Sequence, residues 1–219
     1  METLGQPLQQ PWLCGGQIDT GHANLGESQA QAFVLQPRNQ TIAIELSTTR
    51  HHAPIVESPA LGPAATALLC TWQDEEATRQ FAARLAAQPA LGQAFLALHG
   101  DLGAGKTTFT RHLLAALGVT GRVKSPTYTV VEPYALEHLD IWHFDFYRFH
   151  DPLEWEDAGF RDIFASPGLK LAEWPEKAAG LLPTPDLDLY LTTLPDATRQ
   201  VRLQAHTALG ASLLQGLQA

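Results

Sequence analysis

Cysteine and positive charge are both scarce in this sequence, and each shortage argues against a class of protein. The 219 residues include only two cysteines, Cys14 and Cys70. They form no C-x-x-C pair, so the sequence indicates neither a zinc site nor a disulfide framework. Lysine and arginine number 14 against 23 aspartates and glutamates, which gives a net charge of -9. A stand-alone nucleic-acid-binding protein needs a basic face, and this composition argues against one.

Long hydrophobic runs are missing as well. No stretch reaches the roughly 20 apolar residues that a membrane-spanning helix needs, so we expect no membrane association. The chain opens Met1-Glu2-Thr3 with no early lysine or arginine, and it lacks the apolar core of a signal peptide. The sequence therefore predicts a cytoplasmic protein.

The chain divides into two regions at about residue 66. Residues 1–66 are rich in glutamine, glycine and proline and have no sustained hydrophobic period, which predicts a largely disordered N-terminal extension. The alternative is a misassigned start. Met1 is the only methionine, so a later start would need a non-ATG codon, for example at Val56 or Leu61. Residues 67–219 are long enough for one domain with its own core.

What the sequence does contain is a phosphate-binding motif. Residues 100–107 read GDLGAGKT and match G-x-x-x-x-G-K-[ST] in full. The apolar residues Phe95 to Leu98 precede it and predict a buried strand, whereas apolar residues at helical spacing follow it and predict a helix over 106–117. This position between a strand and a helix favours nucleotide binding over the alternative, a glycine-rich turn that merely precedes a helix.

The residue types of this loop indicate how it would hold a nucleotide. Glycines let the backbone curl so that successive N–H groups point at phosphate oxygens, and the N-terminus of the helix adds its positive end. Lys106 would reach the β- and γ-phosphates, and Thr107 would place its hydroxyl on Mg²⁺. The expected nucleotide contacts are Gly103, Ala104, Gly105, Lys106, Thr107 and Thr108.

Two further predicted strands each end in a carboxylate. Residues 141–145 read IWHFD and residues 170–173 read KLAE, so Asp145 and Glu173 follow apolar runs. Buried carboxylates are costly unless they meet a cation or hydrogen-bond donors, and Mg²⁺ beside Thr107 would be such a cation. The alternative for either acid is a surface position at a strand end.

The remaining pattern predicts an α/β fold with a mixed sheet. Two extended stretches, 129–135 and 139–148, are close enough in sequence to form an antiparallel hairpin. The loop before them, residues 125–129, is polar and fixed by a proline, and it is either a sensor of the γ-phosphate or a structural turn. Further strands are predicted at 68–72, 169–174, 186–193 and 199–206, and further helices at 74–87, from 151 to Gly159, and at 208–217.

Five segments occur in a characteristic order. They are GDLGAGKTT at 100–108, VKSPTYTVVEPY at 123–134, HFDFYR at 143–148, Asp151-Pro152 before Gly159, and EWPE at 173–176. Together they resemble the TsaE family, also called YjeE, of bacterial tRNA threonylcarbamoyladenosine biosynthesis ATPases. The resemblance runs from about residue 68 to the C-terminus. Its phosphate loop is generic, whereas SPTYT followed by HFDFYR and EWPE is specific.

The resemblance implies a P-loop α/β fold, a three-layer core with a mixed parallel and antiparallel sheet. It implies a protein that binds ATP and Mg²⁺, hydrolyses ATP weakly by itself, and works with two partner proteins, TsaD and TsaB. That assembly transfers a threonylcarbamoyl group to adenosine 37 of tRNAs that read codons beginning with A, and the TsaE subunit supports its turnover. Contact with tRNA would be indirect, through the complex, which fits the acidic composition.

The resemblance also implies roles for individual residues. Lys106, Asp145 and Glu173 would be catalytic, and Thr107 and Glu173 would serve the metal. Glu173 would be either a Mg²⁺ ligand, directly or through water, or the residue that orients the attacking water. Trp174 matches an aromatic residue that the family needs for activity, with packing as its alternative role. Further nucleotide contacts would be Thr127 in a switch-like loop, Cys70 and Thr71 beside the adenine, and Arg199 from the terminal hairpin.

Two other classes of function stay open at this point. A P-loop small-molecule kinase usually has an arginine-rich lid, whereas arginine is sparse here and the region after the first hairpin is acidic. A non-enzymatic module would use nucleotide only to switch the binding of a partner.

Overall fold

The computed structural model describes residues 12–14, 66–150, 155–156 and 158–218. These residues contain eight strands that form one sheet in the order β1-β2-β8-β7-β3-β6-β5-β4. The strands are β1 (Trp12–Cys14), β2 (Ala67–Trp72), β3 (Phe95–His99), β4 (Val131–Ala135), β5 (Asp140–Asp145), β6 (Leu169–Glu173), β7 (Leu187–Thr193) and β8 (Arg199–Ala205).

The centre of the sheet is parallel and its outer strands are antiparallel. Strand β3 pairs in parallel with β6 on one side and with β7 on the other, and β5 pairs in parallel with β6. The pairs β4–β5, β7–β8, β2–β8 and β1–β2 are antiparallel. The predicted mixed sheet is therefore confirmed. The carboxyl ends of β3, β5 and β6 meet at one edge, which is where open α/β sheets bind their ligands.

Four α-helices that accompany the sheet lie wholly within the described residues: α1 (Glu75–Ala86), α2 (Lys106–Ala116), α3 (Phe160–Ala165) and α4 (Ala208–Gln218). Helix α1 begins after Asp74, as predicted, because Oδ1 of Asp74 accepts the N–H of Ala77 at 2.8 Å. Such a cap satisfies a donor that the first turn would otherwise leave unpaired. None of the described helices combines the length and the apolar character needed to cross a bilayer.

Helices α1, α2 and α4 contribute to the main core on one face of the sheet. Trp72 lies at its aromatic centre, with ring centroids 5.0 Å from Phe81 on α1 and 5.6 Å from Phe109 on α2. Truncating a buried phenylalanine to alanine typically costs about 3–5 kcal/mol. The packing of Phe109 thus holds α2 firmly against the sheet. Because the first turn of α2 directly follows the phosphate loop, this packing also fixes the end of the loop.

The other face carries a second, aromatic core. Phe144 on β5 packs on Phe160 and Phe164 of α3, with ring centroids 5.4 Å and 4.9 Å apart. The sequence pattern did not predict helix α3. Gly159, which was predicted to end a helix that begins at residue 151, directly precedes α3 with a φ of 67°, and residues 155–156 before it are helical. Residues 151–154, the predicted start of that earlier helix, lie outside the described residues.

The other predicted strands and helices are confirmed, and only β5 differs at its end by more than two residues. It stops at Asp145 rather than continuing to residue 148. The carboxylate of Asp145 accepts the backbone N–H of Tyr147 at 3.0 Å. This side-chain bond gives the N–H of Tyr147 a local partner where the strand ends, an alternative to pairing within the sheet.

Strand β1 comes from the region that was predicted to be an N-terminal extension. It pairs with β2 at the edge of the sheet, with Cys14 opposite Cys70, whereas residues 1–11 and 15–65 lie outside the described residues. Cys70 is disulfide-bonded, which corrects the expectation of no disulfide. Residues opposite each other on antiparallel strands have Cα atoms about 4.5–5.5 Å apart, within disulfide range, and spacing along the sequence does not reveal such pairing.

Candidate functional site

The phosphate loop joins β3 to α2 through glycines in the left-handed region. Gly100, Gly103 and Gly105 have φ values of 135°, 82° and 109°, which residues with side chains rarely adopt. A Cβ on Gly100 would collide with the carbonyl oxygen of Leu191 on β7, so only glycine allows the loop to pass this close to the neighbouring strand. No side chain in the described part of the chain caps α2 at Gly105, which suits the binding of an anion at this helix end.

A cavity of about 330 Å³ opens beside the loop. It brings together most of the residues that the sequence singled out, because the loop and the ends of β5 and β6 meet there. Its lining comprises Leu102, Gly103, Gly105, Lys106, Thr107, Thr108, Ser125, Thr127, Asp145, Tyr147, Glu173 and Trp174.

Lys106 is a buried cation inside this cavity. Its Nζ donates hydrogen bonds to the carbonyl oxygens of Asp101, at 2.9 Å, and of Gly100. The same ammonium lies 3.7 Å from the centre of the Trp174 ring, within cation–π range. Burial lowers the pKa of Lys106, and the carboxylate of Glu173 is the largest of the charges that act in the opposite direction. The loop therefore holds its own lysine in place.

Glu173 is hydrogen-bonded through both carboxylate oxygens. Thr107 Oγ1 donates to Oε2 at 2.8 Å, and His143 Nε2 lies 2.9 Å from Oε1. Glu173 is only 1% exposed, so a free charge here would be costly, and the two donors offset that cost. The bond to Thr107 ties the end of β6 to the first turn of α2.

Asp145 is held in a similar way at the end of β5. Its Oδ2 accepts hydrogen bonds from Ser125 and from Thr127, the latter at 2.8 Å, and its Oδ1 accepts the backbone N–H of Tyr147. The hydroxyls of Ser125 and Thr127 also contact each other at 2.5 Å. The polar loop before the hairpin is therefore fastened to the strand end, and its side chains face the same cavity.

The oxygen donors of the cavity fit a magnesium ion. Asp145 lies opposite Glu173 on neighbouring parallel strands, and Thr107 adds a hydroxyl. Mg²⁺ prefers such oxygens, and it usually takes one or two carboxylates together with water and phosphate oxygens. Among the residues that the structure describes, no group of three or more His, Cys, Asp or Glu is placed to hold a metal alone. The site therefore suits a cation that shares its ligands with a phosphate.

Trp174 forms one wall of the cavity in a strained conformation. Its φ of 58° and ψ of 47° lie in the left-handed region, which costs a residue other than glycine about 1–3 kcal/mol. Its ring lies 5.0 Å from that of Tyr147 and faces the ammonium of Lys106. Residues in such conformations cluster at functional sites, so Trp174 is a candidate for a role in the site in addition to its packing.

A second cavity of about 250 Å³ adjoins the first, and the two share Gly105 and Thr108. Two of the predicted contacts, Ala104 and Arg199, line this second cavity. Cys70 lines neither of the two. It is buried in the interior of β2, two residues before the lining residue Trp72, and the structure does not bring it together with the other candidates.

Two residues close to the carboxylates were not singled out from the sequence. Tyr147 lines the first cavity, and His143 contacts Glu173 from the core. Both lie two positions from Asp145, one after it and one before it. The period of two along a strand places residues i and i+2 on one face, so this spacing was the available signal for His143.

Comparison with known proteins gives a consistent result. A family model described as "Threonylcarbamoyl adenosine biosynthesis protein TsaE" matches residues 72–201. A Haemophilus influenzae protein named tRNA threonylcarbamoyladenosine biosynthesis protein TsaE is 48% identical over 117 residues, which cover 53% of this chain and 73% of the relative. A Bacillus subtilis protein of the same name is 39% identical over 110 residues, covering 50% of this chain and 68% of the relative.

The fold of a solved structure also matches. The crystal structure of Bacillus subtilis YdiB is similar with a TM-score of 0.58 and 28% sequence identity, and the match covers 69% of this chain and 94% of YdiB. The predicted α/β fold with a mixed sheet is confirmed by this likeness and by the strand pairing. The phosphate loop, both carboxylates and Trp174 all fall within the span matched by the family model.

Proposed function

Because the chain belongs to the TsaE family of P-loop proteins, which act in tRNA threonylcarbamoyladenosine biosynthesis, we propose that it binds Mg²⁺-ATP and hydrolyses it weakly. The observation that carries this proposal is the meeting of Lys106, Thr107, Asp145 and Glu173 in one cavity. A phosphate loop alone suffices for binding. Hydrolysis also needs groups that support the metal and orient the attacking water.

The phosphate loop supplies the binding groups. The N–H groups at the start of α2 and in the glycine-rich loop would hold the β- and γ-phosphates, and Lys106 would turn its ammonium from the loop carbonyls to the phosphate oxygens. The second cavity would take the nucleoside, because it continues from the first past Gly105 and Thr108. Arg199 would then lie beside the nucleoside rather than beside the terminal phosphate.

The carboxylates of Glu173 and Asp145 would have different roles in hydrolysis. Bound Mg²⁺ would neutralise charge that develops on the phosphate oxygens. Since Thr107 donates its proton to Glu173, the lone pairs of its hydroxyl oxygen remain for the cation. Both oxygens of Glu173 already accept protein donors, which favours action on the metal through water, or on the attacking water, over direct ligation. Asp145 would hold the loop of Ser125 and Thr127 close to the γ-phosphate.

We further propose that the ATPase acts within an assembly with TsaD-like and TsaB-like proteins, which modifies adenosine 37 of tRNAs reading codons that begin with A. The net charge of -9 fits a subunit that meets tRNA only through its partners, because direct binding relies on lysine and arginine at phosphates. Among the described residues no arginine lines the first cavity, so this site gives the kinase alternative no support.

The test compares two glutamate-to-glutamine variants. Glu173→Gln keeps the shape of the side chain but loses its charge. Glu137→Gln makes the same change at a side chain that is 88% exposed, between β4 and β5, and serves as the matched control. ATP hydrolysis is measured for the chain alone and then with TsaD, TsaB and substrate tRNA, and modified adenosine is scored in the same reactions.

We expect Glu173→Gln to bind ATP but to hydrolyse it roughly 100-fold more slowly, the usual range for a lost acid–base or orienting group. Modification should then stop after about one round, whereas Glu137→Gln should match the wild type. Repeated modification by Glu173→Gln would mean that nucleotide only switches partner binding. Rapid ATP consumption that depends on an added metabolite would instead support a kinase.

A further inference from the structure

His143 is a fully buried polar residue in the interior of β5. It lies two residues before Asp145, so both side chains are on the same face of the sheet. On the neighbouring strand β6, Leu171 pairs with His143 and Glu173 pairs with Asp145. A buried polar side chain needs a partner, since an unpaired one loses its hydrogen bonds to water without compensation.

The partner of His143 is the carboxylate of Glu173. Its Oε1 lies 2.9 Å from His143 Nε2, and its Oε2 accepts the hydroxyl of Thr107 at 2.8 Å. One contact comes from inside the sheet and the other from the first turn of α2. The carboxylate is therefore fixed at both ends, and turning it toward any third group would break one of these hydrogen bonds.

The second ring nitrogen of His143 defines the direction of this hydrogen bond. Nδ1 is buried, and none of the residues that the structure describes forms a hydrogen bond with it. A proton there would create an unpaired buried donor, and an ionised carboxylate has no proton to give, so the proton lies on Nε2 and is donated to Glu173. Leucine would fill this core position without leaving a nitrogen unpaired. Packing alone therefore does not account for histidine here.

We propose that His143 is a positioning residue that acts through Glu173 on the metal-binding hydroxyl of Thr107. With Oε1 bound to His143, Oε2 is directed at Thr107 and accepts its only hydroxyl proton. The lone pairs of Thr107 then face the cavity, where the cation would bind. His143 itself touches neither nucleotide nor metal. This inference rests on the function proposed above, and it adds a residue to which the motif gave no role.

Three variants of His143 separate the donor from the packing. His143→Gln places an amide nitrogen as many bonds from the backbone as Nε2, so it can still donate to Glu173. His143→Asn is polar but places its amide nitrogen at the position of Nδ1, too short to reach Glu173. His143→Leu fills the core without any donor. The first variant is thus the conservative rescue, and the other two remove the proposed contact in different ways.

The primary measurement is calorimetric titration of ADP with and without Mg²⁺, followed by kcat and KM for ATP as a function of Mg²⁺ concentration. Residues that support metal ligands typically contribute 10–100-fold to metal affinity or activity. We expect His143→Leu and His143→Asn to raise the half-saturating Mg²⁺ concentration by roughly 10-fold or more and to lower kcat similarly. ADP affinity without Mg²⁺ should change little, and His143→Gln should recover most of the loss.

Thermal unfolding of each variant provides the comparison with a purely structural role. If His143→Leu and His143→Asn lower the unfolding temperature but bind Mg²⁺ and turn over like the wild type, the proposal is wrong. It is also wrong if His143→Gln is as defective as His143→Leu. In a Glu173→Gln background, adding His143→Leu should cause no further loss of Mg²⁺ affinity, and an additive loss would contradict action through Glu173. A wild-type protein without Mg²⁺-dependent binding or hydrolysis would instead overturn the proposed function.

Discussion

Replacing Asp188 by asparagine should destabilise the protein at pH 5 by an amount that shrinks in stronger acid. Asp188 on β7 is buried, and its carboxylate contacts His99 Nε2 at 2.9 Å, His206 Nε2 at 2.7 Å and Tyr190 Oη at 3.1 Å. A hydrogen bond to a charged group contributes about 1.5–3 kcal/mol. Asparagine keeps only one acceptor oxygen, so the expected loss is about 3 kcal/mol, a large share of a typical stability of about 5–15 kcal/mol.

The direction of the pH dependence follows from the pKa of Asp188. Burial alone would raise this pKa, but hydrogen bonds from His99 and His206 outweigh burial and hold the pKa below its usual value of 3.8. A carboxyl group whose pKa is lower in the folded protein contributes its stabilisation above the unfolded pKa. That contribution is lost as the pH falls through the folded pKa. The advantage of the wild type should therefore decrease below about pH 4.

The assay is urea unfolding at several pH values between 5 and 3, followed by tryptophan fluorescence and circular dichroism. The free-energy difference between the wild type and Asp188→Asn is the quantity of interest. Asp162→Asn removes an exposed carboxylate on α3 and should stay within about 0.5 kcal/mol of the wild type throughout. A difference that stays constant down to pH 3, or that is absent at pH 5, would refute the role assigned to this carboxylate.

Three further predictions concern the phosphate loop and the N-terminal region. Lys106→Ala should weaken ATP binding by about 2–5 kcal/mol, roughly 30-fold or more in affinity, because a buried charge partner is lost. Unchanged ATP binding in calorimetry would contradict the assignment of the loop. Gly100→Ala should lower the free energy of unfolding in urea by about 1–3 kcal/mol or more, because the Cβ of the alanine would collide with the carbonyl oxygen of Leu191. Unaltered stability would argue against the backbone path of the loop. Removing residues 1–66 should leave ATP binding intact, because β1 is an edge strand and lies away from β3, which leads into the phosphate loop. A loss of folding would show that the domain boundary is misplaced.

Much of the site could be predicted because its chemistry is encoded locally. The phosphate loop has a fixed spacing, and the flanking strand and helix have clear periods. Asp145 and Glu173 stand at the ends of apolar runs, and the carboxyl ends of parallel strands share one edge of a sheet. The polar loop with Thr127 was a candidate as well, since it leads into β4, the hairpin partner of the strand that ends at Asp145.

Contacts between distant segments were not predictable in the same way. The position of β3 between β6 and β7 depends on pairing between residues far apart in sequence. The carboxylate of Asp188 forms hydrogen bonds with His99 and His206, which come from two other segments. No regular spacing along the sequence relates these three residues. The disulfide at Cys70 and the left-handed backbone of Trp174 likewise depend on tertiary packing, which overrides local preference.

The side-by-side placement of Asp145 and Glu173 has a consequence for which mutations the chain can tolerate. Both acids are delivered to the cavity by the alignment of β5 with β6, and side chains alternate between faces along a strand. Losing a single residue from β6 would shift the later positions by one and send the carboxylate of Glu173 toward the aromatic core around Phe144. Loops that do not contact the two carboxylates can change length without moving these oxygens. The geometry of the site therefore constrains the number of residues within β5 and β6, independently of which apolar residues fill the strands.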